Sequence, residues 1–455
     1  MTHTLIFDIG KTNKKCFLFD ENYQEVWKEY VRFDEIKDED GHLCDNIALI
    51  ENWMITTFKK VISLDQYNVK AVNFSTYGAS FVHINDKGEP VAPLYNYLKP
   101  LPEDILNQFY AKYGSEMALA KETASPPLQM LNSGMQLYYL KYAKPEIFNK
   151  IRWSLHLPQY LSFLFNRKPV SEYTSIGCHT MLWDYSKNDY HRWVYEEGID
   201  KILPPVAQDE TSLEYTYEGK KLKMGFGIHD SSAALIPYLK AQKKPFLLIS
   251  TGTWSISINP FNNNKLRTAD LKNDCLNFLR PSGESVKAAR LFLGNEYKVQ
   301  VEKLRSHYTK EEGYHRTMKF DEQLFFKLKK SSKNYFRLES ISKNSNKLSK
   351  TNLSKFATYE EAYHQLMIEL MELQIQTIDL AIGKSSIEKI FIDGGFADND
   401  SFVKIIAHYF NKYKIRTTQS PLGSALGAAM IVSDKKVKKN FLKKHYAMKK
   451  QLTWK

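Results

Sequence analysis

Residues 5–19 read LIFDIGKTNKKCFLF. A short apolar run ends at Asp8, a turn around Gly10 follows, and a second apolar run begins at Cys16. Two apolar runs separated by a glycine turn predict a β-hairpin. A carboxylate, backbone amides, a hydroxyl and lysines at such a turn could hold a metal-bound nucleotide, although turns of this kind are also common without a ligand. The stretch alone predicts a strand pair and leaves a phosphate site open.

The same form returns in residues 245–258, which read PFLLISTGTWSISI. An apolar run again meets a turn, here with Gly252 and Thr253, and an alternating run follows. The two segments begin about 240 residues apart, as a duplicated domain would place them. A chain of 455 residues suits two domains of about 200 to 240 residues each. Two domains imply a cleft between them.

Composition excludes several classes of protein. With 43% hydrophobic and 25% charged residues, the chain is typical of an ordinary globular protein. No apolar run approaches the length of about 18 residues that a membrane span needs, so we expect a cytoplasmic protein that is neither secreted nor membrane-spanning. Four cysteines without a C-x-x-C pair predict reduced thiols rather than disulfides or a zinc site. They are Cys16, Cys44, Cys178 and Cys275.

The positive charge of the chain is concentrated in two stretches. The formal net charge of +13 comes largely from lysines in residues 301–355 and 435–455, and the second stretch has nine lysines and no acidic residue. Solvated surface charge explains such runs, and a field of this sign would also attract nucleotides. We therefore expect neither a nucleic-acid partner nor a membrane partner. Affinity that falls steeply with salt would indicate nucleic-acid binding.

Three other regions set the organisation of the chain. Residues 102–193 are mostly helical in pattern and rich in aromatic residues, and they predict a cap on the first half. Residues 331–355 are rich in Ser, Asn and Lys and predict a surface insertion. A predicted strand at 387–392 runs into a pair of glycines, and then into a helix that Asn399 or Asp400 would cap.

The segment GIHDSSAAL, residues 227–235, carries the candidate catalytic group. It places His229 and Asp230 at the start of a helix of small residues. A carboxylate there could align a substrate hydroxyl and accept its proton during phosphoryl transfer. The alternative is that Asp230 only caps the helix. The glycine turns at 252–253 and 394–395 could let the backbone approach phosphates, a base or a sugar.

These segments, in this order and at these separations, resemble the FGGY family of carbohydrate kinases over residues 5 to about 431. FSTYGASFV at 74–82 is similar to the family's substrate-side segment, and PLGSALGAA at 421–429 to its last small-residue helix. The resemblance implies an α/β fold of two actin-like (ribonuclease H-like) ATPase domains with a cleft between them. Residues 1–240 would form the sugar side and residues 241–455 the nucleotide side.

The resemblance also implies roles for individual residues. Asp8 would lie near Mg²⁺, and Asp230 would be the catalytic base. The residues that would contact ATP are Thr12, Asn13, Lys15, Gly252, Thr253, Gly394, Gly395 and Asn399. Those that would contact the sugar are Tyr77, Gly78, His229 and Asp230. ATP and Mg²⁺ are therefore the expected cofactors, and a small sugar is the expected partner.

Within the family, His229-Asp230 and the run GTWS at 252–255 look most like kinases that phosphorylate L-rhamnulose or L-fuculose, both 6-deoxy ketohexoses, at O1. Two departures keep kinases for xylulose, ribulose or glycerol as alternatives: Lys11 replaces a small residue, and YNY at 95–97 replaces a Tyr-Arg-Asp run. An actin-like ATPase or a sugar sensor without kinase activity is the alternative from another class. The sequence leaves open whether the chain forms a homodimer.

Polar and aromatic residues of the cap have two interpretations. Residues 172–175, which read EYTS, and His179 could line the sugar pocket, but Tyr and Thr in a helical cap are more often packing residues. Trp153, Trp183 and Trp193 could stack on a sugar, but core packing is the commoner role. We therefore expect packing roles for both groups.

Overall fold

The computed structural model describes residues 1–208, 210–331, 333–341, 348–452 and 454. The first half of the described chain contains a seven-stranded mixed sheet. Its strands are β1 Thr2–Ile9, β2 Lys14–Asp20, β3 Glu25–Val31, β4 Asn68–Thr76, β5 Ser212–Tyr217, β6 Lys220–Gly225 and β7 Ile228–His229. Their order is β5-β6-β4-β1-β2-β3, and β7 also pairs with β4.

The hairpin predicted at the start of the chain forms the centre of this sheet. Leu5, Ile6 and Phe7 of β1 are all 0% exposed, because both faces of the strand are covered. Strands β1, β2 and β3 pair antiparallel, whereas β4 is parallel to β1. A parallel pair needs a crossover connection, and helix α1, Ile47–Ile62, lies in the connection from β3 to β4.

The second half contains another seven-stranded sheet. Its strands are β8 Phe246–Thr251, β9 Ser255–Asn259, β10 Cys275–Leu279, β11 Ser285–Leu291, β12 Lys389–Gly394, β13 Lys414–Thr418 and β14 Lys449–Lys450. Their order is β10-β11-β9-β8-β12-β13-β14. Strands β8, β9 and β11 pair antiparallel and β12 is parallel to β8. This connectivity repeats that of β1 to β4, as a duplicated domain should.

Two helices, α2 Asp230–Ala241 and α3 Gly423–Val432, lie between the sheets. They cross so closely that a Cβ added to Gly427 would lie 1.8 Å from the carbonyl oxygen of Ala233. One buried cluster joins residues of both helices to Ile6 of the first sheet and Phe391 of the second. The domain interface therefore has a continuous apolar core, and it fixes the position of the residue at which each helix begins.

Short helices fill the region predicted as a cap. They are Glu103–Tyr113, Glu116–Glu122, Ser133–Ala143, Pro145–Phe148, Leu157–Asn166, Tyr173–Ile176 and Arg192–Glu196. Strand Phe81–Ile84 pairs with Trp153–His156, and Trp183–Asp184 with Asp189–Tyr190. Trp183 is 5% and Trp193 0% exposed, and the indole N–H of Trp193 donates to the carbonyl oxygen of Met181 at 2.8 Å. Both tryptophans are packing residues.

The remaining helices surround the second sheet. They are Thr268–Lys272, Leu293–His307, Glu322–Lys329, Tyr359–Ile382, Asp400–Tyr409 and Phe441–His445. Part of the segment predicted as a surface insertion packs against this core: Phe336 is 0% exposed, and its backbone N–H donates to Glu369 at 3.1 Å. Residues 332 and 342–347 of that segment lie outside the described residues.

The four cysteines are dispersed through the fold. Cys16, Cys44, Cys178 and Cys275 are all buried and free of disulfides. Within the part of the chain that the structure describes, no helix combines the length and the apolar character that crossing a membrane requires.

Candidate active site

Three strand ends meet at one edge of the first sheet. Asp8 on β1 lies beside Ser75 on β4, which lies beside Ile228 on β7. Asp230 follows directly as the first residue of α2. Burial, and then the negative charge of Asp230, raise the pKa of Asp8 to about 6. Two carboxylates from separate segments of the sequence therefore lie within each other's electrostatic field.

His229 lies beside the candidate base. Its Nε2 atom is 3.2 Å from Oδ1 of Asp230, and the Asp230 side chain is 35% exposed. Burial lowers the pKa of His229, so the ring is neutral and can donate from one nitrogen. His229 occupies the N-cap position, and Asp230 is the first residue inside the helix, where its Oδ1 accepts the N–H of Ser231 at 2.5 Å. The arrangement leaves the other carboxylate oxygen of Asp230 for a ligand.

Gly78 allows the His229 ring to lie close to the end of β4. A Cβ added to Gly78 would lie 3.0 Å from Nε2 of His229 and 2.8 Å from Sγ of Cys178. The Cys178 thiol is itself 3.2 Å from the same Nε2 atom. Because Gly78 has no side chain, there is room for the ring of His229, the histidine predicted to bind the sugar.

The turn between β1 and β2 carries the predicted phosphate contacts. Lys15 is the register partner of Asp8, and its positive charge lowers the pKa of that carboxyl. Thr12 is exposed, whereas the side-chain oxygen of Asn13 already accepts a hydrogen bond from Arg32 at 2.6 Å. Thr12 and Lys15 therefore remain accessible, Lys15 beside Asp8, whereas the Asn13 side chain is held by Arg32.

Asp45 anchors this turn, although no motif points to it. Its Oδ2 atom accepts from Nζ of Lys11 at 2.7 Å and from the hydroxyl of Tyr77 at 2.8 Å, and its Oδ1 atom accepts from Nζ of Lys14 at 2.7 Å. Lys14 is 1% exposed and also donates to the carbonyl oxygen of Lys11 at 2.9 Å. Two of the three lysines are therefore structural, and the Tyr77 hydroxyl is already engaged. Lys15 is the lysine left to meet phosphate.

Two glycine turns come together at the corresponding edge of the second sheet. The hydroxyl of Thr251 donates to the carbonyl oxygen of Asp393 at 2.5 Å and so ties β8 to β12. Gly394 has a φ of +87°, and a Cβ there would lie 2.0 Å from the carbonyl oxygen of Thr251. Added Cβ atoms at Gly252 and Gly395 would have no neighbour within 4 Å. Both glycines therefore face open space.

A cleft of about 430 Å³ opens beside these turns. Gly252, Gly395 and Asn399 line it together with Tyr297 and Arg316. Its volume falls within the range of about 300 to 1,000 Å³ that small-molecule sites occupy. Three residues predicted to contact ATP therefore share one pocket. Neither Tyr297 nor Arg316 was among the residues predicted to contact ATP, and the fold brings both to this cleft.

Asn399 has a second, structural role at this cleft. Its Oδ1 atom accepts the N–H of Phe402 at 2.9 Å, so Asn399 rather than Asp400 caps the following helix. Its amide nitrogen donates to the hydroxyl of Tyr363 at 3.0 Å. Both ends of the amide are therefore hydrogen-bonded within the protein, and a ligand would meet Asn399 mainly through van der Waals contact.

The residues at the first sheet edge fit a magnesium ion that arrives with phosphate. Mg²⁺ binds through one or two carboxylates together with phosphate oxygens, and it retains several waters. Asp8 offers such a carboxylate, and a cation beside it would offset both the burial and the Asp230 charge that raise the pKa of Asp8. Among the described residues, no group of three or more His, Cys, Asp or Glu side chains could hold a metal. This donor set is too small for an all-protein cage.

Family models match both halves of the chain. The N-terminal domain of the FGGY family of carbohydrate kinases matches residues 3–231, and the C-terminal domain of carbohydrate kinase FGGY matches residues 243–440. The chain belongs to the FGGY family of carbohydrate kinases. The family predicted from the four segments is therefore confirmed.

Curated relatives of this FGGY chain are distant. It is 24% identical over 270 residues to the rhamnulokinase of Halalkalibacterium halodurans, a match that covers 56% of each chain. It is 23% identical over 268 residues to the rhamnulokinase of Oceanobacillus iheyensis, with 55% of each chain covered. The matched part thus spans about half the length of these relatives.

Solved structures resemble the fold over nearly the whole chain. A carbohydrate kinase from Novosphingobium aromaticivorans has a TM-score of 0.77 at 19% identity and covers 94% of this chain and 93% of that one. A ligand-bound xylulose kinase from Lactobacillus acidophilus has a TM-score of 0.77 at 14% identity, with 100% and 94% covered. These likenesses confirm the predicted two-domain, actin-like fold class.

Proposed function

We propose that the chain is an ATP-dependent kinase that phosphorylates a ketose, with a 6-deoxy ketohexose such as L-rhamnulose or L-fuculose, at O1, as the leading substrate. One observation carries the proposal: Asp230 begins a helix at the domain interface, beside a neutral His229 and within the field of Asp8. Transfer of a phosphoryl group to a hydroxyl needs a base next to a metal-bound phosphate. The relatives named rhamnulokinase support the choice of sugar.

The proposed reaction uses Asp230 as the proton acceptor. Its carboxylate takes the proton of the sugar hydroxyl while the hydroxyl oxygen forms a bond to the γ-phosphorus of ATP. The bond from that phosphorus to the bridging oxygen breaks, and ADP leaves. His229, held 3.2 Å from Asp230, keeps the carboxylate oriented, and Lys15 stabilises the charge on the transferred phosphoryl group. Mg²⁺ held by Asp8 would neutralise phosphate charge.

The second domain would hold the nucleotide. Backbone groups of Gly252 and Thr253 would meet the outer phosphates, and Gly394, Gly395 and Asn399 would lie along the adenosine. The open space beside Gly252 and Gly395 and the cleft that both line support this arrangement. We infer that domain closure brings the γ-phosphate to Asp230 and excludes water that would otherwise hydrolyse ATP.

The charge of Lys11 bears on the class of sugar. Lys11 replaces a small residue near the predicted sugar side, and a free lysine there would favour an acidic sugar. However, its ammonium group is held by Asp45 at 2.7 Å and Glu35 at 2.8 Å, so two carboxylates offset its charge. A neutral ketose therefore fits better than a sugar acid. Xylulose remains the second candidate, because xylulose kinases are among the similar structures.

ATP and free sugars are cytoplasmic metabolites, so we propose a cytoplasmic location. The proposed partners are ATP, Mg²⁺ and the sugar, without nucleic acid or membrane.

The test is coupled ADP release from Mg²⁺-ATP with L-rhamnulose, L-fuculose, D-xylulose, D-ribulose and glycerol. We expect one 6-deoxy ketose to give the highest kcat/KM. Asp230→Asn should lower kcat by about 10² to 10⁴-fold and leave ADP binding unchanged, because only the proton acceptor is lost. Asp65→Asn, which removes an exposed carboxylate, is the charge-matched control and should match the wild type.

The same assay separates the other classes of function. An actin-like ATPase would release ADP without any sugar. A sugar sensor would bind a sugar in calorimetry and release no ADP. A turnover that survives in Asp230→Asn would show that another group accepts the proton.

A further inference from the structure

A buried chain of hydrogen bonds lies behind the His229-Asp230 pair, and the proposed reaction does not use it directly. The Oγ1 atom of Thr174 accepts the backbone N–H of His229 at 3.0 Å, and its hydroxyl donates to Oε2 of Glu172 at 2.5 Å. Thr174 is 0% exposed and Glu172 is 6% exposed. The chain ends on the peptide unit that immediately precedes the first turn of α2.

Helix capping accounts for only part of this arrangement. Oε2 of Glu172 accepts the N–H groups of Thr174 at 2.9 Å and Ser175 at 3.3 Å, and so caps the short helix Tyr173–Ile176. Ser, Thr, Asp and Asn are the preferred residues for that task. A glutamate at this buried position costs folding free energy, because burial disfavours its charged form and raises its pKa to about 7. Its third bond, from the Thr174 hydroxyl, is the one that capping leaves unexplained.

That third bond fixes the direction of the Thr174 hydroxyl. A threonine hydroxyl has one hydrogen and two lone pairs. Because Glu172 takes the hydrogen, a lone pair of Thr174 is directed at the N–H of His229. With its hydrogen held by Glu172, the Thr174 oxygen is preorganised as an acceptor for the next group in the chain. Glu172 therefore acts on His229 through Thr174.

The segment that carries Thr174 is also fastened to the second domain. A Cβ added to Gly177 would lie 2.5 Å from Cγ of Leu279 on β10, so the two backbones are in close contact. The hydroxyl of Tyr185 lies 3.0 Å from the carbonyl oxygens of both Gly177 and Asn277. Contacts with residues of both domains, His229 and Leu279, therefore hold the segment in place.

We propose that Thr174, oriented by Glu172, is a positioning residue for the catalytic base Asp230. The inference rests on the proposed kinase function. Thr174 bonds to the peptide of His229, and this contact keeps the start of α2 in place so that the Asp230 carboxylate stays aligned with the sugar hydroxyl. Loss of the contact leaves a buried N–H without its acceptor and allows the first turn of α2 to shift.

The test compares Thr174→Val, which has the same shape but no hydroxyl, with Thr174→Ser, which keeps the hydroxyl. Small misplacements of a reacting group can cost on the order of a hundredfold in rate. We expect Thr174→Val to lower kcat by about tenfold to a hundredfold while KM for ATP and for the sugar stays within about twofold. Thr174→Ser should restore most of the rate.

Thr180→Val is the matched control. Thr180 is 1% exposed and lies in the same segment, but its hydroxyl donates to the carbonyl oxygen of Ile176 at 2.6 Å. This variant loses a buried threonine hydroxyl without touching His229, so it should keep a kcat near that of the wild type. Rates are referred to the fraction of molecules that binds ADP, so that a loss of folded protein is not counted as slow chemistry.

Two results would overturn the proposal: a kcat for Thr174→Val within about twofold of Thr180→Val, or a Thr174→Ser variant as slow as Thr174→Val. A rise in KM with unchanged kcat would also contradict it, because it would place Thr174 in binding rather than in alignment. Failure of the proposed function looks different, since the wild type itself would then release no ADP in response to any sugar.

Discussion

The turns that close the first hairpin of each sheet occupy equivalent places but are held by different forces. The turn between β1 and β2 is anchored by charge, through Asp45 and the ammonium groups of Lys11 and Lys14. The turn between β8 and β9 is held by shape. A Cβ added to Gly294 would lie 1.9 Å from the carbonyl oxygen of Gly252, so a helix start is in direct contact with the turn.

The difference between the turns reflects what surrounds each of them. The first turn carries lysines, and Lys14 is buried, so a carboxylate must accompany it. The second turn, Gly252-Thr253-Trp254, has no charged side chain, and its Gly252 lines the cleft with open space where a side chain would be. Two hairpins of the same topology are therefore held in different ways, the first turn by ion pairs and the second by close packing. Each arrangement fails under a different kind of substitution, which makes the comparison testable.

Removal of the Asp45 charge should be the more damaging change. Asp45→Asn leaves the Lys14 ammonium, 1% exposed, without its counter-charge, and loss of one partner of a buried pair costs about 3 to 5 kcal/mol. Glu35→Gln is the control. Glu35 pairs with Lys11, which Asp45 also contacts, but the Glu35 side chain is 36% exposed, and a pair at such a site contributes about 1 kcal/mol or less. Urea unfolding at pH 7 measures both. Equal losses in the two variants would mean that Asp45 is not the anchor.

A methyl group at Gly294 should be the next most damaging change. Gly294→Ala forces the helix start and the Gly252 turn apart, and overpacking of this kind costs about 1 to 3 kcal/mol. Gly252→Ala adds the same methyl group where no atom lies within 4 Å and should leave the unfolding midpoint near that of the wild type. We also expect Gly294→Ala to weaken ADP binding in calorimetry, since the turn lines the cleft. A Gly252→Ala variant as unstable as Gly294→Ala would refute the steric account.

These two turns also mark how far the sequence predicts the structure. Each hairpin was predictable because its information is local: apolar runs bracket a glycine turn, and the predicted apolar runs lie within β1 and β8, although β1 begins earlier, at Thr2. Their equivalence was predictable because the two patterns repeat. The anchors were not predictable, because Asp45 and Gly294 lie in other elements and reach the turns only through the fold.

The candidate site divides in the same way. Asp8, His229 and Asp230 stand in motifs with a recognisable order, so their neighbourhood could be expected from the family resemblance. Thr174 was expected to be a packing residue of the cap, and it is buried. Its bond to the N–H of His229 joins residues 55 positions apart, and no local pattern records it. Tyr297 and Arg316 reach the cleft for the same reason.

The two turns should also respond differently to acid. Burial alone would raise the pKa of Asp45, but the bonds from Lys11 and Lys14 outweigh burial and hold it below its ordinary value of 3.8. Its stabilising contribution is therefore complete above pH 3.8 and is lost as the pH falls through the lower folded pKa. Beside the second turn, burial raises the pKa of Asp393 despite bonds from Ser420 and Thr418. The charged form of Asp393 is thus a cost to the folded state at neutral pH.

The pKa of Asp45 is lowered and that of Asp393 is raised, so we expect pH to change the stability of Asp45→Asn and of Asp393→Asn in opposite ways. The deficit of Asp45→Asn relative to the wild type should shrink as the pH falls below 3.8, because the wild type then loses the contribution that the variant lacks. Asp393→Asn should compare most favourably with the wild type at pH 7 and lose that advantage as the pH falls towards 3.8. Urea midpoints between pH 7 and 3 measure both curves, and this effect should be smaller than either substitution effect above. A deficit of Asp45→Asn that stays constant below pH 3.8 would mean that its carboxylate does not titrate with folding, and the first turn would then be held by shape, as the second is.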